Sequence, residues 1–316
     1  MRIPYFDDYL LYLQTQNYSI ETVYNYERDL KVFERFLDEL RVPFVKLDKK
    51  TVNQYKAYLT SIDRKTAEDV KHAEKLSPQS INRTLSALRS FLKYLVETDL
   101  PSPIAPDAVQ LIRTNKKHAR VAELAQLVKL IEAPSTMEND LIIALRNRAM
   151  LEVLFATGMR ISELLGLNRA HIDGSGRIFI RGKGKKERFV YMTPRASRHL
   201  QDYLNVRNDS LGALFIPYRG KNTTPDRVTK RRISPNYLQG KIKRYREKLK
   251  INVPTSAHSL RHGFATYLAE SGANPAAIQV LLGHESLNTT TRYVNTSDKY
   301  AETTHHKFHP LKKDDC

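Results

Sequence analysis

The chain has 316 residues, which suggests about two domains, and its hydrophobic fraction of 41% is enough to form buried cores. It carries 52 Lys and Arg against 34 Asp and Glu, a formal net charge of +18, which favours a polyanionic partner such as nucleic acid. A single cysteine, Cys316, excludes an internal disulfide framework and a cysteine-rich zinc site. No apolar run approaches the ~20 residues that span a bilayer. We therefore expect a cytoplasmic protein without a membrane partner.

Apolar residues recur at three- and four-residue steps through the first third of the chain, a pattern typical of helices. One stripe consists of Val23, Tyr26, Leu30, Phe33, Leu37 and Leu40, and a second of Ile81, Leu85, Leu88, Leu92 and Leu95. Ser77 and Pro78 suit the N-cap and first position of the second helix. Its other face carries Arg83, Arg89 and Lys93 without an acid between them. We therefore predict a helical DNA-binding domain over residues 1–112, although that face would also suit plain solvation.

A basic connection follows the prolines that end this helical part. The segment RTNKKHAR at Arg113–Arg120 has four Lys or Arg and no acid. We predict a linker at residues 113–121, and eight extended residues reach about 26 Å. Lys116 and Lys117 are its candidate DNA contacts, and an ordinary exposed linker is the alternative interpretation.

From residue 122 to residue 316 the sequence predicts a second domain that mixes helices with a small sheet. Helices are expected over Ala122–Ala133 and Ala144–Thr157, and another begins at Ser234 and Pro235. The short alternating runs Arg177–Arg181 and Glu187–Met192 flank GKGKK, which predicts a β-hairpin. Leu214–Pro217 is expected to add a strand.

The densest positive charge lies between Arg227 and Lys250, where Glu247 is the only acid. Phosphate groups supply much of the affinity of proteins for nucleic acid through such residues. Candidate phosphate contacts in this block are Arg231, Arg232, Lys241 and Arg244.

Five motifs after residue 150 carry polar residues in a distinctive order: ATGMRISELLGL, RGKGKKER, HSLRHGFATYLAESG, LLGHES and TTTRYVNT. Each alone has an ordinary explanation, such as a surface cation, a capped helix turn or a packed tyrosine. Together they resemble the tyrosine site-specific recombinases (phage integrase family), most of all the Xer-type members. The resemblance implies a mainly α fold with a small β-sheet. In it, a helical core-binding (SAM-like) domain and an α+β catalytic domain, residues 122–316, form a C-shaped clamp on duplex DNA.

The resemblance also implies which residues bind the reacting phosphate. Arg160 and Arg261 would contact its non-bridging oxygens, since guanidinium stays charged and suits bidentate phosphate contacts. His284 would donate a hydrogen bond to the same phosphate, and Glu163 would hold Arg160 in place. Neither a metal nor another cofactor is implied, because the arginines supply the positive charge.

The remaining implied roles concern bond making and proton transfer. Tyr293 would attack phosphorus and form a 3′-phosphotyrosine, while His258 exchanges a proton near its hydroxyl. Lys183, the first lysine of GKGKK, would protonate the departing 5′ oxygen.

The implied assembly is a homotetramer on two DNA sites or a complex with a partner recombinase, and a DNA translocase is a further candidate partner. Three alternatives stay open from the residues: a DNA-binding regulator that no longer cleaves, a type IB topoisomerase and a metal-dependent nuclease. GKGKK does not fit the Walker A spacing. The cluster His305, His306 and His309 is more typical of a solvated tail than of a metal site.

Overall fold

A computed structural model of the chain describes residues 3–62, 75–114, 121–181, 187–218 and 231–283. The backbone contacts divide the chain into two compact units, Met1–Lys117 and His118–Cys316. Each unit has a hydrophobic core of its own.

The first unit is helical. Its helices are α1 Phe6–Thr15, α2 Ile20–Leu40, α3 Lys49–Thr60 and α4 Pro78–Glu97, with 3-10 turns at Phe44–Lys46 and Pro106–Ala108. Both predicted stripes lie in this core, except that Leu40 is 40% exposed because α2 ends there and Arg41 turns the chain with a positive φ of 55°. The Ser77 side chain caps α4 by accepting the backbone N–H of Ser80, which confirms the predicted start.

The second unit surrounds one buried helix, α7. The helices are α5 Leu124–Glu132, α6 Pro134–Met137, α7 Leu141–Thr157, α8 Ile161–Gly166, α9 Pro194–Asn205, α10 Pro235–Lys248, α11 Ala257–Glu270 and α12 Pro275–Leu282, with a 3-10 turn at Arg169–His171. α7 packs against α6, α9 and α11, so its apolar side chains are buried on several sides. Among the described residues, no helix is long and apolar enough to cross a membrane.

The predicted hairpin is present in the second unit. Strand β1 (Arg177–Arg181) pairs antiparallel with β2 (Glu187–Tyr191), and Ile180 lies opposite Arg188. The two strands alternate between exposed and buried positions, which places Ile178, Ile180, Arg188 and Val190 on the buried face. Arg188 therefore points inward among apolar neighbours, a position at which a charged side chain needs partners.

The strand expected at Leu214–Pro217 is wrong. Among the residues that the structure describes, the nearest β pairing is an isolated bridge between Asn168 and Ala213, just before this segment. Residues 214–216 are all buried, so the segment lacks the alternation of a half-buried strand. Side chains bind two of its carbonyls: Arg207 Nη1 donates to that of residue 214, as it does to that of residue 213 just before the segment, and Arg146 Nη1 donates to that of residue 216.

Candidate active site

Three arginines from different elements converge on the C-terminal end of α12. The last carbonyls of a helix have no intrahelical partners and carry its partial negative charge. Arg188 Nε donates to the carbonyl of residue 281 at 2.8 Å and Arg261 Nη2 to that of residue 282 at 2.6 Å. Arg160 Nη2 donates to the carbonyl of residue 283 at 3.4 Å. One helix end thus binds a guanidinium group from β2, one from α11 and one from the residue that precedes α8.

Arg261 is held by two backbone carbonyls. It lies in the second turn of α11, is only 3% exposed, and donates through Nη1 to the carbonyl of Gly158 at 2.8 Å. Gly158 ends α7 with a φ of 62°, and a Cβ there would lie 2.3 Å from the Phe264 ring. This tight glycine turn brings the end of α7 against Arg261 and leads the chain to Arg160 two residues later.

Glu163 holds Arg160 at two points. Its Oε2 accepts the backbone N–H of Arg160 at 2.7 Å, and its Oε1 accepts Nη1 of the same residue at 2.9 Å. The Arg160 side chain is 38% exposed, whereas that of Glu163 is 6% exposed. The carboxylate therefore fixes, from the buried side, a guanidinium group that still reaches the surface.

Arg188 binds the same carboxylate. Its Nη1 donates to Oε1 of Glu163 at 3.0 Å and its Nη2 to Oε2 at 2.8 Å. Burial acts to raise the pKa of Glu163, but the hydrogen bonds and charges of Arg188 and Arg160 outweigh it and hold that pKa below its ordinary value. The carboxylate is therefore ionised at neutral pH and shared by two cations.

His258 lies at the start of α11 and contacts His262 one turn later. Their Nε2 atoms are 2.7 Å apart, and the two rings meet nearly at right angles. Partial burial, followed by the positive charges of Arg261 and Arg160, lowers the pKa of His258. A neutral imidazole is the form that accepts a proton, so the electrostatics of this site suit His258 to that task.

Four of the seven catalytic candidates from the sequence are described, and they gather at one place: Arg160, Glu163, His258 and Arg261. Lys183, His284 and Tyr293 lie outside the described residues, as do Lys116 and Lys117. In the sequence, His284 directly follows the helix end that binds the arginines, and Lys183 lies in the connection from β1 to β2.

Sequence reasoning missed Arg188. One signal was available, because alternation along ERFVY puts residue 188 in phase with the buried Val190. A charged residue in phase with the buried face of a strand indicates a specific buried partner. The identity of that partner depended on the tertiary fold.

The candidate DNA contacts of the first unit all have acidic partners. The pairs are Arg83–Asp29, Arg89–Asp107 and Lys93–Glu97. Asp29 is buried, so Arg83 compensates a buried carboxylate, whereas the other two pairs lie at the surface. Exposed pairs of this kind contribute little stability, so Arg89 and Lys93 can exchange their acids for phosphates at low cost.

In the second unit, the candidates of the basic block differ in their surroundings. Lys241 Nζ donates to both oxygens of Glu138, at 2.7 and 2.9 Å, and Arg232 Nη1 donates to the carbonyls of residues 165 and 167. Arg231 is half-buried and Arg244 is exposed on α10. Arg232, Lys241 and Arg244 line one cavity of about 590 Å³. Two of the four cations, Arg232 and Lys241, thus have bonds that stabilise the fold, whereas Arg244 is exposed.

Comparison with known proteins identifies both parts of the chain. Residues 120–300 match the model of the phage integrase family, and residues 6–99 match the SAM-like N-terminal domain of phage integrases. Tyrosine recombinase XerC of Rickettsia massiliae is 31% identical over 298 residues, covering 94% of this chain and 93% of the relative. Tyrosine recombinase XerD of Staphylococcus epidermidis is 28% identical, covering 96% of this chain and 98% of the relative.

Solved structures show the same fold. The XerH site-specific recombinase bound to a palindromic difH substrate matches with a TM-score of 0.70 at 21% identity, over 92% of this chain and 81% of that one. A lambda integrase dimer bound to a core site matches with a TM-score of 0.68 at 15% identity, over 90% of this chain and 95% of that one. With family models on both parts and relatives that span nearly the whole length, the chain belongs to the phage integrase family of tyrosine recombinases.

Proposed function

We propose that this chain cleaves and rejoins duplex DNA at a specific site, with Tyr293 as the nucleophile. The observation that carries the proposal is the convergence of Arg160 and Arg261 on residues 281–283, directly before His284. This arrangement offers two fixed guanidinium groups, and the next residue along the chain is a further donor. Such a cluster suits a phosphate whose negative charge grows as a bond to phosphorus forms.

The electrostatic contribution comes from donors that are in place before DNA binds. Breaking a phosphodiester builds charge on the non-bridging oxygens of a five-coordinate phosphorus. Donors that need no reorganisation contribute about 3–4 kcal/mol each in comparable sites. Glu163 and the carbonyls of residues 158, 282 and 283 orient Arg160 and Arg261, which supports this role.

The proposed reaction conserves its bond energy. The Tyr293 oxygen bonds to phosphorus and the bond from phosphorus to the 5′ oxygen breaks, which leaves a 3′-phosphotyrosine and a 5′ hydroxyl. His258 accepts the phenol proton, and Lys183 gives a proton to the departing oxygen. A 5′ hydroxyl from a second duplex then attacks the phosphotyrosine, so the strand is resealed without ATP or another cofactor.

The partner in this proposal is double-stranded DNA, gripped by basic residues of both units. The relatives named XerC and XerD and the DNA-bound XerH structure support a site-specific reaction. We propose a tetramer of this chain, or of this chain with a partner recombinase, acting in the cytoplasm on two DNA sites. Resolution of chromosome dimers, with a DNA translocase as a further partner, and integration or excision of a mobile element are both compatible tasks.

A suicide substrate tests the proposal. The wild-type chain is first used to select its binding site from a random duplex library, and a nick is then placed so that the cleaved end diffuses away. We expect a covalent protein–DNA adduct that forms in the presence of EDTA. Binding to the selected site without any adduct would instead support a regulator that no longer cleaves. Relaxation of supercoiled DNA without a site requirement would indicate a topoisomerase, and activity abolished by EDTA would indicate a nuclease.

A further inference from the structure

We propose that Arg188 is a positioning residue for Arg160, acting through Glu163. This inference rests on the proposed function, because it assigns to Arg188 the task of orienting a group that binds the reacting phosphate. Arg188 itself is buried, with a side chain only 7% exposed, so its effect on the phosphate passes through its contacts.

The contacts of Arg188 define a single orientation for Glu163. Two bonds, at 3.0 and 2.8 Å, join the two terminal nitrogens of Arg188 to the two oxygens of the carboxylate and restrict its rotation. Each carboxylate oxygen then has one further bond, to Arg160 Nη1 on one side and to the Arg160 backbone on the other. A change in the angle of the carboxylate would move Arg160 as well, because both residues share the same two oxygen atoms.

Charge balance gives a second reason for Arg188. Without it, the negative charge of the buried carboxylate would be compensated by Arg160 alone, and Arg160 would be drawn more strongly away from a phosphate. With it, one carboxylate is shared by two guanidinium groups, so it draws Arg160 less strongly and leaves Arg160 able to contact the reacting phosphate. A lysine could supply the charge but not the planar pair of donors.

Arg188 also joins three parts of the site. It belongs to β2, binds Glu163 in α8 and donates through Nε to the carbonyl of residue 281 at the end of α12. The fit is close, because a Cβ on Gly283 would lie 3.0 Å from Arg188. The strand that follows Lys183, the helix turn that follows Arg160 and the helix that precedes His284 therefore meet at one side chain.

The variants Arg188→Met and Arg188→Lys test this role, with Arg207→Met as a matched control. Arg207 is also buried in the second unit, and it likewise binds a carboxylate, that of Asp209, together with backbone carbonyls. Single-turnover cleavage of the suicide duplex is measured for the folded fraction of each variant. The readout that separates positioning from stability is a second duplex with a neutral methylphosphonate at the scissile position, which needs less positive charge from Arg160.

We expect Arg188→Met to slow cleavage of the normal duplex about 10- to 100-fold, because displacing a catalytic group by about 1 Å has an effect of that order. The Kd for DNA should change less than about twofold. On the methylphosphonate the defect should shrink, as it should for Arg160→Ala. Arg188→Lys should be intermediate on both duplexes, and it decides the question if the Met variant does not fold. Arg207→Met should lose stability but keep the wild-type cleavage rate per folded molecule.

Two results would overturn this inference without affecting the proposed function. The first is cleavage by Arg188→Met and Arg188→Lys within about threefold of wild type, since the expected defect is at least about 10-fold. The second is a defect of equal size on the two duplexes. If the wild-type chain forms an adduct with neither duplex, the proposed function is overturned and, with it, the role of Arg188.

Discussion

Glu163 grips Arg160 by both backbone and side chain, through bonds of 2.7 Å to the main-chain N–H and 2.9 Å to Nη1. The first bond begins α8 at the residue after Arg160, and the second sets the direction of the guanidinium group. One carboxylate therefore couples the start of a helix to the orientation of a phosphate-binding side chain.

Removal of this carboxylate should cost stability. Glu163→Gln keeps the shape but leaves the buried Arg188 without its counter-ion, and breaking one side of a buried pair typically lowers the free energy of unfolding by about 3–5 kcal/mol. Urea unfolding at pH 7 measures the loss. Glu187→Gln on β2, which removes the exposed partner of Arg181 on β1, should cost less than about 1 kcal/mol. Equal losses for the two variants would contradict the account.

The stability difference between the wild type and Glu163→Gln should depend on pH. The pKa of Glu163 is lower in the folded chain than in the unfolded chain, so its stabilisation is complete above the unfolded pKa, about 4.3. As the pH falls below that value and then through the folded pKa, the stabilisation is lost. The difference in unfolding free energy between wild type and Glu163→Gln should therefore be constant near neutrality and shrink below about pH 4.3. A difference that stays constant down to pH 3 would argue against a lowered pKa.

His258 should control the acidic limb of the cleavage rate. Because partial burial and the charges of Arg261 and Arg160 lower its pKa, the neutral form should persist below the ordinary imidazole pKa of about 6.5. If neutral His258 accepts the Tyr293 proton, single-turnover rates should fall on acidification with an apparent pKa under about 6.5. His258→Gln should be slower and lose that limb, while His262→Gln, its contact one turn away, should retain it. An unchanged limb in His258→Gln would assign the proton to another group.

The basic block should contain cations of two kinds. Arg244 is exposed, whereas Lys241 is bound to both oxygens of Glu138. Arg244→Ala should weaken DNA binding and reduce the slope of log K against log salt by about one phosphate contact. Lys241→Met should mainly lower stability and leave the slope near that of wild type.

The wild-type affinity itself should fall about 10³- to 10⁵-fold between 50 and 200 mM salt if six to ten phosphates are contacted. A flat salt response would contradict the proposed grip on DNA.

Lys183→Ala should slow departure of the 5′ oxygen, because that oxygen would leave without an acid. A duplex with a bridging 5′-phosphorothiolate should restore the rate, since sulfur leaves without a proton. Arg261→Lys serves as the control that this substrate should not rescue, because Arg261 acts on the non-bridging oxygens. Absence of rescue in Lys183→Ala would move the acid elsewhere, with Lys185 the nearest alternative.

Local patterns predicted the elements that local chemistry determines. Ser77 and Pro78 begin α4, the alternating runs around GKGKK form the hairpin, and Ser234 caps α10. The wrong strand at Leu214–Pro217 shows the limit of this reasoning. Its apolar run is buried in an irregular connection whose carbonyls accept hydrogen bonds from Arg207, seven residues before Leu214, and from Arg146, 70 residues before residue 216.

The partners of charged residues were beyond the reach of periodicity. Arg188 and the carbonyl of residue 281 are 93 residues apart, and Lys241 and Glu138 are 103 residues apart. A sequence shows the sign of such a charge, but the fold decides whether it faces a carboxylate or solvent. The basic composition was therefore enough to predict a nucleic-acid partner, but it could not identify the individual DNA contacts, which stay predictions.

The central claim is that one phenol oxygen becomes bonded to DNA, and peptide mapping of the trapped adduct tests it most directly. After digestion of protein and DNA, mass spectrometry should find the nucleotide 3′-phosphate on the peptide that contains Tyr293, and Tyr293→Phe should bind the same duplex without forming an adduct. A nucleotide attached to a different residue, or an adduct that persists in Tyr293→Phe, would contradict the account.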